Sequence, residues 1–200
     1  MTEVRLTSIN DARKIIEIYS PNILNAAVSF ETEVPSIEEM QKRIVICLEI
    51  FSWIVCIVDG EMAGYVYASK HRERKAYQWS CDCTIYMNDE FKGKGIGKEL
   101  YHLLFKILKL QGFRNVYAGI TLPNEASIAL HEKCGFEKFA EYGNVGYKLG
   151  EWHTVGWWKL RLNDYDPDPP PPLKFSELDT EMITQLFQQT ARAIQLKLTG

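Results

Sequence analysis

The 200-residue chain has no basic excess: 23 Lys and Arg face 26 Asp and Glu, for a formal net charge of -3. Nucleic-acid binders normally carry surplus positive charge, so no nucleic-acid partner is expected. No apolar run approaches the length of a bilayer span, and Met1-Thr2-Glu3-Val4-Arg5 has no signal-peptide character. A cytoplasmic protein without a membrane partner is the expectation. Cysteine is sparse and odd in number: Cys47, Cys56, Cys81, Cys83 and Cys134. None forms a CxxC pair, which argues against a disulfide framework and a zinc site, so no metal is expected. Cys81 and Cys83 lie two apart in an apparent strand and share one face. All five read as buried thiols behaving as small hydrophobes, with a nucleophilic role as the alternative.

The length suits one domain with a proper core, with or without an appendage. Val4-Arg5-Leu6 reads as a short strand and Asp11 as the cap of a helix through Tyr19. Residues 26–34 read as loop. Ser36-Ile37-Glu38-Glu39 is a capping-box pattern ahead of a helix to about Leu48. Ser52 to Val58 is strand-like, and Asp59-Gly60 is a hairpin turn into Ala63 to Ala68. Trp79 to Met87 forms a third long strand. Leu100, Leu103, Leu104, Ile107 and Leu108 mark a helix ending near Gly112. A strand (115–120), a short helix (124–134) and a tryptophan-rich hairpin (147–162) complete an α/β domain on one central sheet. Tyr165-Asp166-Pro167-Asp168-Pro169-Pro170-Pro171-Pro172 cannot be helix or central strand, so residues 165–175 read as a stiff extended linker after a domain of residues 1–164. Residues 176–200 then form a helix whose apolar stripe (Leu178, Met182, Leu186, Phe187, Ala193, Ile194) needs a cover, from its own domain or from a second subunit.

One segment carries chemistry. Phe91-Lys92-Gly93-Lys94-Gly95-Ile96-Gly97-Lys98 follows the strand Thr84-Ile85-Tyr86-Met87 and opens a helix. Glycines let the backbone approach an anion, and the helix N-terminus offers free N–H groups and a favourable dipole. The spacing is neither that of a dinucleotide fingerprint nor that of a nucleoside-triphosphate loop. Taken alone, a phosphate cradle and a solvated lysine-rich turn stand level.

Lys92-x-x-Gly95-x-Gly97 resembles the Q/R-x-x-G-x-G/A turn by which GNAT acetyltransferases hold the pyrophosphate of acetyl-CoA. Leu122-Pro123-Asn124, continuing through Ser127, Leu130-His131-Glu132 and Gly135-Phe136, resembles the LPN-x-x-S-x-x-LHE-x-x-G-[FY] segment of one branch. Ala76-Tyr77-x-Trp79, Gly146-Tyr147-Lys148 and Trp152-His153-x-Val155-Gly156-x-Trp158 are further matches. The chain is similar, over roughly residues 3–162, to the phosphinothricin and methionine sulfoximine N-acetyltransferases. The resemblance implies a GNAT fold with a C-terminal helical extension, acetyl-CoA as cosubstrate, a small amino-acid-like amine as acceptor, and a homodimer. It implies that Ile85, Tyr86 and Met87 hold the pantetheine arm, and that Lys92, Gly93, Lys94, Gly95, Ile96, Gly97 and Lys98 hold the pyrophosphate, with Asn124 also at the cofactor. Lys92 stands where Gln or Arg is usual and lacks the arginine fork. Asp82 falls where the family places a glutamate base, one methylene short, so relay through water is an alternative to direct proton removal. His131 falls where a proton or hydrogen bond meets the departing thiolate. Phe30, Arg74 and Tyr77 match positions near the acceptor, Arg74 as a carboxylate partner. Glu31 replaces an arginine of the herbicide-detoxifying members. Acetylation of a protein N-terminus or lysine, or a catalytically weak acyl-CoA sensor, are the alternatives.

Overall fold

The computed structural model describes residues 1–199. Seven strands form one sheet in the order β1-β2-β3-β4-β5-β7-β6. β1 is Thr2–Leu6, β2 Trp53–Val58, β3 Glu61–Lys70, β4 Ser80–Met87, β5 Asn115–Leu122, β6 Glu137–Lys148 and β7 Glu151–Arg161. Neighbours are antiparallel except β4 and β5, which run parallel. That pair is joined by α3, Ile96–Gln111, as the crossover that parallel strands require. α1 (Ala12–Leu24) and α2 (Ile37–Leu48) precede β2, and α4 (Glu125–Lys133) follows β5.

Local chemistry explains most boundaries. Ser36 Oγ accepts from the Glu39 N–H at 3.1 Å and starts α2. Asp59 and Gly60 both take positive φ, 51° and 87°, as a tight hairpin between right-twisted strands requires. α3 ends at Gly112, φ 93°. Its inner face buries Leu100, Leu103, Leu104, Ile107 and Leu108 against the sheet.

Four expectations are corrected. Asp11 does not cap α1: its carboxylate turns back to the Ser8 N–H (2.7 Å) and forks with Arg5 at 2.8 Å on both oxygens. α1 continues past Tyr19 through Pro21 to Leu24. The proline φ is helical and forfeits one hydrogen bond, while the extra turn buries Ile23. The final hairpin starts at Glu137, ten residues before the expected Tyr147; β6 is an exposed edge strand with two register irregularities, so it shows no apolar alternation. The last helix, α5, is Thr180–Thr199, with Asp179 Oδ1 accepting from the Met182 N–H (2.7 Å), and residues 175–177 form a separate 3-10 turn.

α5 packs on its own domain, against β1 and α3, with Ile183 and Ile194 buried. The proline segment is extended and strapped to the body. Trp79 Nε1 donates to Pro170 O (2.8 Å), Leu173 exchanges backbone and side-chain bonds with Gln111, and Asp166 pairs with Arg114 at 2.5 Å.

Candidate active site

β4 and β5 pair over only three rungs, Ser80 with Asn115, Cys81 with Val116 and Asp82 with Tyr117. Both strands then continue without further pairing to each other, β4 to Met87 and β5 to Leu122. A fork opens in the sheet, and from Cys83 onward β4 is laddered to β3 alone. The edge of β4 that faces the fork is therefore unpaired over Ile85 to Met87, where alternate residues turn their N–H and C=O groups toward it. Gly64 on β3 permits this course: a Cβ there would meet Met87 Sδ at 2.6 Å and Tyr86 O at 2.7 Å.

The glycine turn lies at the open end of β4. Gly93 and Gly95 take φ of 76° and 78°, left-handed values that cost a side-chain-bearing residue about 1–2 kcal/mol. Ile96, Gly97 and Lys98 form the first turn of α3, where amide hydrogens lack intrahelical acceptors. Gly97 lets this helix start lie close to β4 and α4, since a Cβ would stand 3.3 Å from Ile85 Cδ1 and 3.5 Å from Leu130 Cδ2. Lys92 is occupied by Asp89, 2.5 Å from Nζ, and Lys94 sits 5.1 Å from the Phe91 ring. A further ammonium arrives from α5. Lys197 Nζ pairs with Glu99 at 2.7 Å and stands 3.4 Å from where a Gly95 Cβ would be. Sequence reasoning missed Lys197, because nothing local shows that α5 folds back to this turn.

Asp82 occupies the last paired rung, at the crotch of the fork. Its Oδ1 lies 2.6 Å from His71 Nδ1. Burial pushes the Asp82 carboxyl above its ordinary range, while the His71 bond and the nearby Arg72 charge pull it back. The His71 ring stacks on Tyr117 (centroids 4.4 Å, planes 24°) and meets Tyr77 at 6.2 Å and Trp157 at 6.4 Å, both edge-on. Among the described residues, the buried Trp157 indole N–H has no partner. In the sequence His71 sits in the charged run Lys70–Lys75, where nothing local sets it apart. The β3–β4 register that sets Ser69 opposite Asp82 brings it in, and a connection of nine residues hides that register from the sequence.

His131 on α4 is buried with both ring nitrogens engaged. Nδ1 donates to Ser127 O at 2.7 Å, so Nε2 is the acceptor facing Tyr101 Oη at 2.8 Å. Burial lowers its pKa, partly countered by the Ser127 bond. Asn124 caps α4, its Oδ1 accepting from the Ser127 N–H at 3.1 Å. On the other side of the fork, Phe30 packs directly on Gly146, whose missing side chain leaves it room, and faces His153 at 6.2 Å. Lys148 holds that loop by donating to Ala26 O (2.8 Å) and Ser29 O (2.5 Å). Glu31 is paired with Arg43 at 2.6 Å. The Arg74 side chain is exposed, with no hydrogen-bond or ion-pair partner among the described residues, while its carbonyl accepts from the N–H of Tyr77, which is half exposed at the end of the 3-10 turn. A cleft of about 420 Å³ between α2 and the β2–β3 strands is lined by Tyr19, Arg43, Trp53, Tyr65, Tyr67 and Lys70.

Cys81 and Cys83 are buried on the opposite face from Asp82, and burial pushes both thiols far above neutrality. They cannot supply a thiolate at neutral pH. Among the described residues, no group of three or more His, Cys, Asp or Glu side chains could hold a metal, and no helix is long and apolar enough to cross a membrane.

The forked sheet, with a glycine turn and helix start at its open end and an acid at its crotch, is an α/β fold shared with known acetyltransferases. Residues 4–157 match the acetyltransferase (GNAT) domain family, and the chain belongs to that family of acetyltransferases. A phosphinothricin N-acetyltransferase of Streptomyces viridochromogenes is 34% identical over 173 residues, covering 86% of this chain and 93% of its own length. An L-methionine sulfoximine/L-methionine sulfone acetyltransferase of Salmonella typhimurium is 26% identical over 81% of this chain and 95% of its own. The crystal structure of a Sinorhizobium meliloti phosphinothricin acetyltransferase in complex with AcCoA superposes with a TM-score of 0.80 at 31% identity, covering 87% of this chain and 98% of that one. The mixed sheet and the C-terminal helix expected from the sequence are both present.

Proposed function

We propose that this chain transfers acetyl from acetyl-CoA to the amine of a small amino-acid-like acceptor: phosphinothricin, methionine sulfoximine or a similar compound. The observation that carries the reading is the Asp82–His71 pair at the crotch of the fork, on the strand that leads to the glycine turn. Room for the cosubstrate is built in. Gly93 has nothing within 4 Å of a Cβ position, and Gly97 seats the helix start close against β4.

The amides of Ile96, Gly97 and Lys98 would hold the pyrophosphate, with Lys94, Lys98 and Lys197 supplying charge. Lys92 would act at longer range, since Asp89 already neutralises it. Backbone groups of Ile85, Tyr86 and Met87 would hold the pantetheine arm. Bound there, acetyl-CoA supplies an acyl carbon activated as a thioester. Asp82 lies where a proton must leave the acceptor's ammonium, directly or by relay, before the amine can attack. Arg74 and Tyr77 would take the acceptor's carboxylate, Phe30 would line its pocket, and the Trp157 N–H would meet one of its oxygens. His131 is held neutral. As the acceptor of the Tyr101 hydroxyl proton it offers the departing sulfur no free N–H, so its part is to order α4 and Tyr101 beside the cofactor, together with Asn124. Homodimerisation and cytoplasmic residence belong to this reading; a single monomeric species in sedimentation counts against the first.

The test is acetyl-CoA consumption against amino acids, sulfoximines, polyamines and peptides. Turnover confined to small α-amino acids and their analogues supports the proposal. Turnover confined to peptides indicates a protein acetyltransferase. CoA binding with no turnover indicates a sensor.

A further inference from the structure

The family-like position on β4 holds an aspartate, whose carboxylate reaches one methylene less far from the sheet than a glutamate would. The His71 imidazole stands at its end, with Nδ1 2.6 Å from Asp82 Oδ1. The ring is fixed from three directions: stacked on Tyr117 of β5, edge-on to Tyr77, and edge-on to Trp157 of β7. Its side chain keeps 15% of its exposure, against 27% for Asp82, so both groups remain within reach of a small solute. Nε2 makes no hydrogen bond within the described residues. The charged groups facing the ring are Asp82 and Arg72, whose Nη1 donates to the His71 carbonyl at 2.9 Å.

We propose that His71 is the residue that accepts the acceptor's proton at Nε2, and that Asp82 positions it. This rests on the acetyl-transfer reading and deepens it. The Asp82 carboxylate accepts from Nδ1–H, which fixes the tautomer with the Nε2 lone pair outward and stabilises the imidazolium that forms. The balance closes. The ammonium gives one proton to Nε2, which passes it to solvent. The freed amine lone pair forms the C–N bond as the C–S bond breaks. The electron pair of that bond leaves on sulfur, which takes the second nitrogen-bound proton and departs as a thiol. The alternative role for the pair is structural, closing the end of the β3–β4 connection.

Two variants separate these roles. His71→Phe keeps the volume and the stacking on Tyr117 but has no nitrogen. Asp82→Glu in that background restores the longer carboxylate. The proposal expects His71→Phe to lose kcat on the order of 10²–10³-fold, the range of a general base. Its kcat/KM–pH profile should also lose its acid limb. Acetyl-CoA affinity by calorimetry should stay within about threefold, and the double variant should regain at least about tenfold in kcat. A His71→Phe enzyme with kcat within threefold of the parent and the same acid limb overturns the proposal. Nitrogen NMR of the unaltered protein gives a check that no variant's folding can spoil: the Nδ1–H tautomer supports it, and the Nε2–H tautomer overturns it. If the unaltered protein acetylates no amine, the acetyl-transfer reading fails instead.

Discussion

Lys197 offers a sharp test of whether the C-terminal helix contributes to cofactor binding at the glycine turn. A lysine over the N-terminus of α3 faces the positive end of the helix dipole, which is unfavourable by about 0.3–1 kcal/mol unless an anion lies between. Its pair with Glu99, half in solvent, returns about the same amount. Lys197→Met keeps the stem that packs beside Gly95 and removes only the charge, so unfolding free energy should change by about 0.5 kcal/mol or less. Cofactor binding should respond differently. A pyrophosphate on the α3 amides would lie near Nζ, and two unit charges about 5 Å apart interact by about 1–2 kcal/mol at effective dielectrics of 40–80. The doubly charged group raises this and the lost Glu99 pair offsets it, leaving about 1 kcal/mol, or roughly a fivefold weaker Kd. Calorimetric titration of acetyl-CoA into both proteins at low salt measures it, and the gap should close toward half-molar salt. An affinity within 1.5-fold of the parent at low salt, with melting unchanged, would show that Lys197 merely anchors α5.

The remaining predictions concern the core and the acceptor side. Cys81→Ala and Cys83→Ala should keep kcat within about twofold while losing roughly 1 kcal/mol each to the small cavity; loss of turnover in either, with the fold intact, would reinstate a cysteine nucleophile. His131 has its folded pKa lowered by burial, so the unfolded chain binds more protons. Its contribution is intact above the unfolded value near 6.5 and is lost as pH falls below it. The stability gap between the parent and His131→Gln, by denaturant melts from pH 7.5 to 5, should therefore narrow on the acid side. Gly146→Ala puts a methyl against the Phe30 ring. It should raise KM for the acceptor severalfold while leaving acetyl-CoA affinity unchanged, and an unaltered acceptor KM would remove Phe30 from the pocket.

What the sequence showed and what it hid have separate causes. The glycine turn, its helix and the Asp59-Gly60 hairpin are written in local chemistry: positive φ, orphan amides and a 3.6-residue apolar period. Asp82 was marked by the family resemblance, and it stands at the crotch of the fork. His71, Trp157 and Lys197 were not visible, because each reaches the site through long-range placement: a β3–β4 register, a β5–β7 pairing and the return of α5. β6 was missed for the opposite reason, since an exposed edge strand with bulges carries no alternating pattern. His131 shows where a motif ends and geometry begins. The residue stands where the motif suggests, and the structure engages both of its nitrogens within the protein.

The central claim is that the fork is a catalytic centre in which Asp82 governs proton removal. The direct measurement is kcat of Asp82→Asn against the parent on the best acceptor, with acetyl-CoA affinity measured on the same samples. The account predicts a loss of at least about 100-fold in kcat with affinity within threefold. A kcat within threefold of the parent would contradict it.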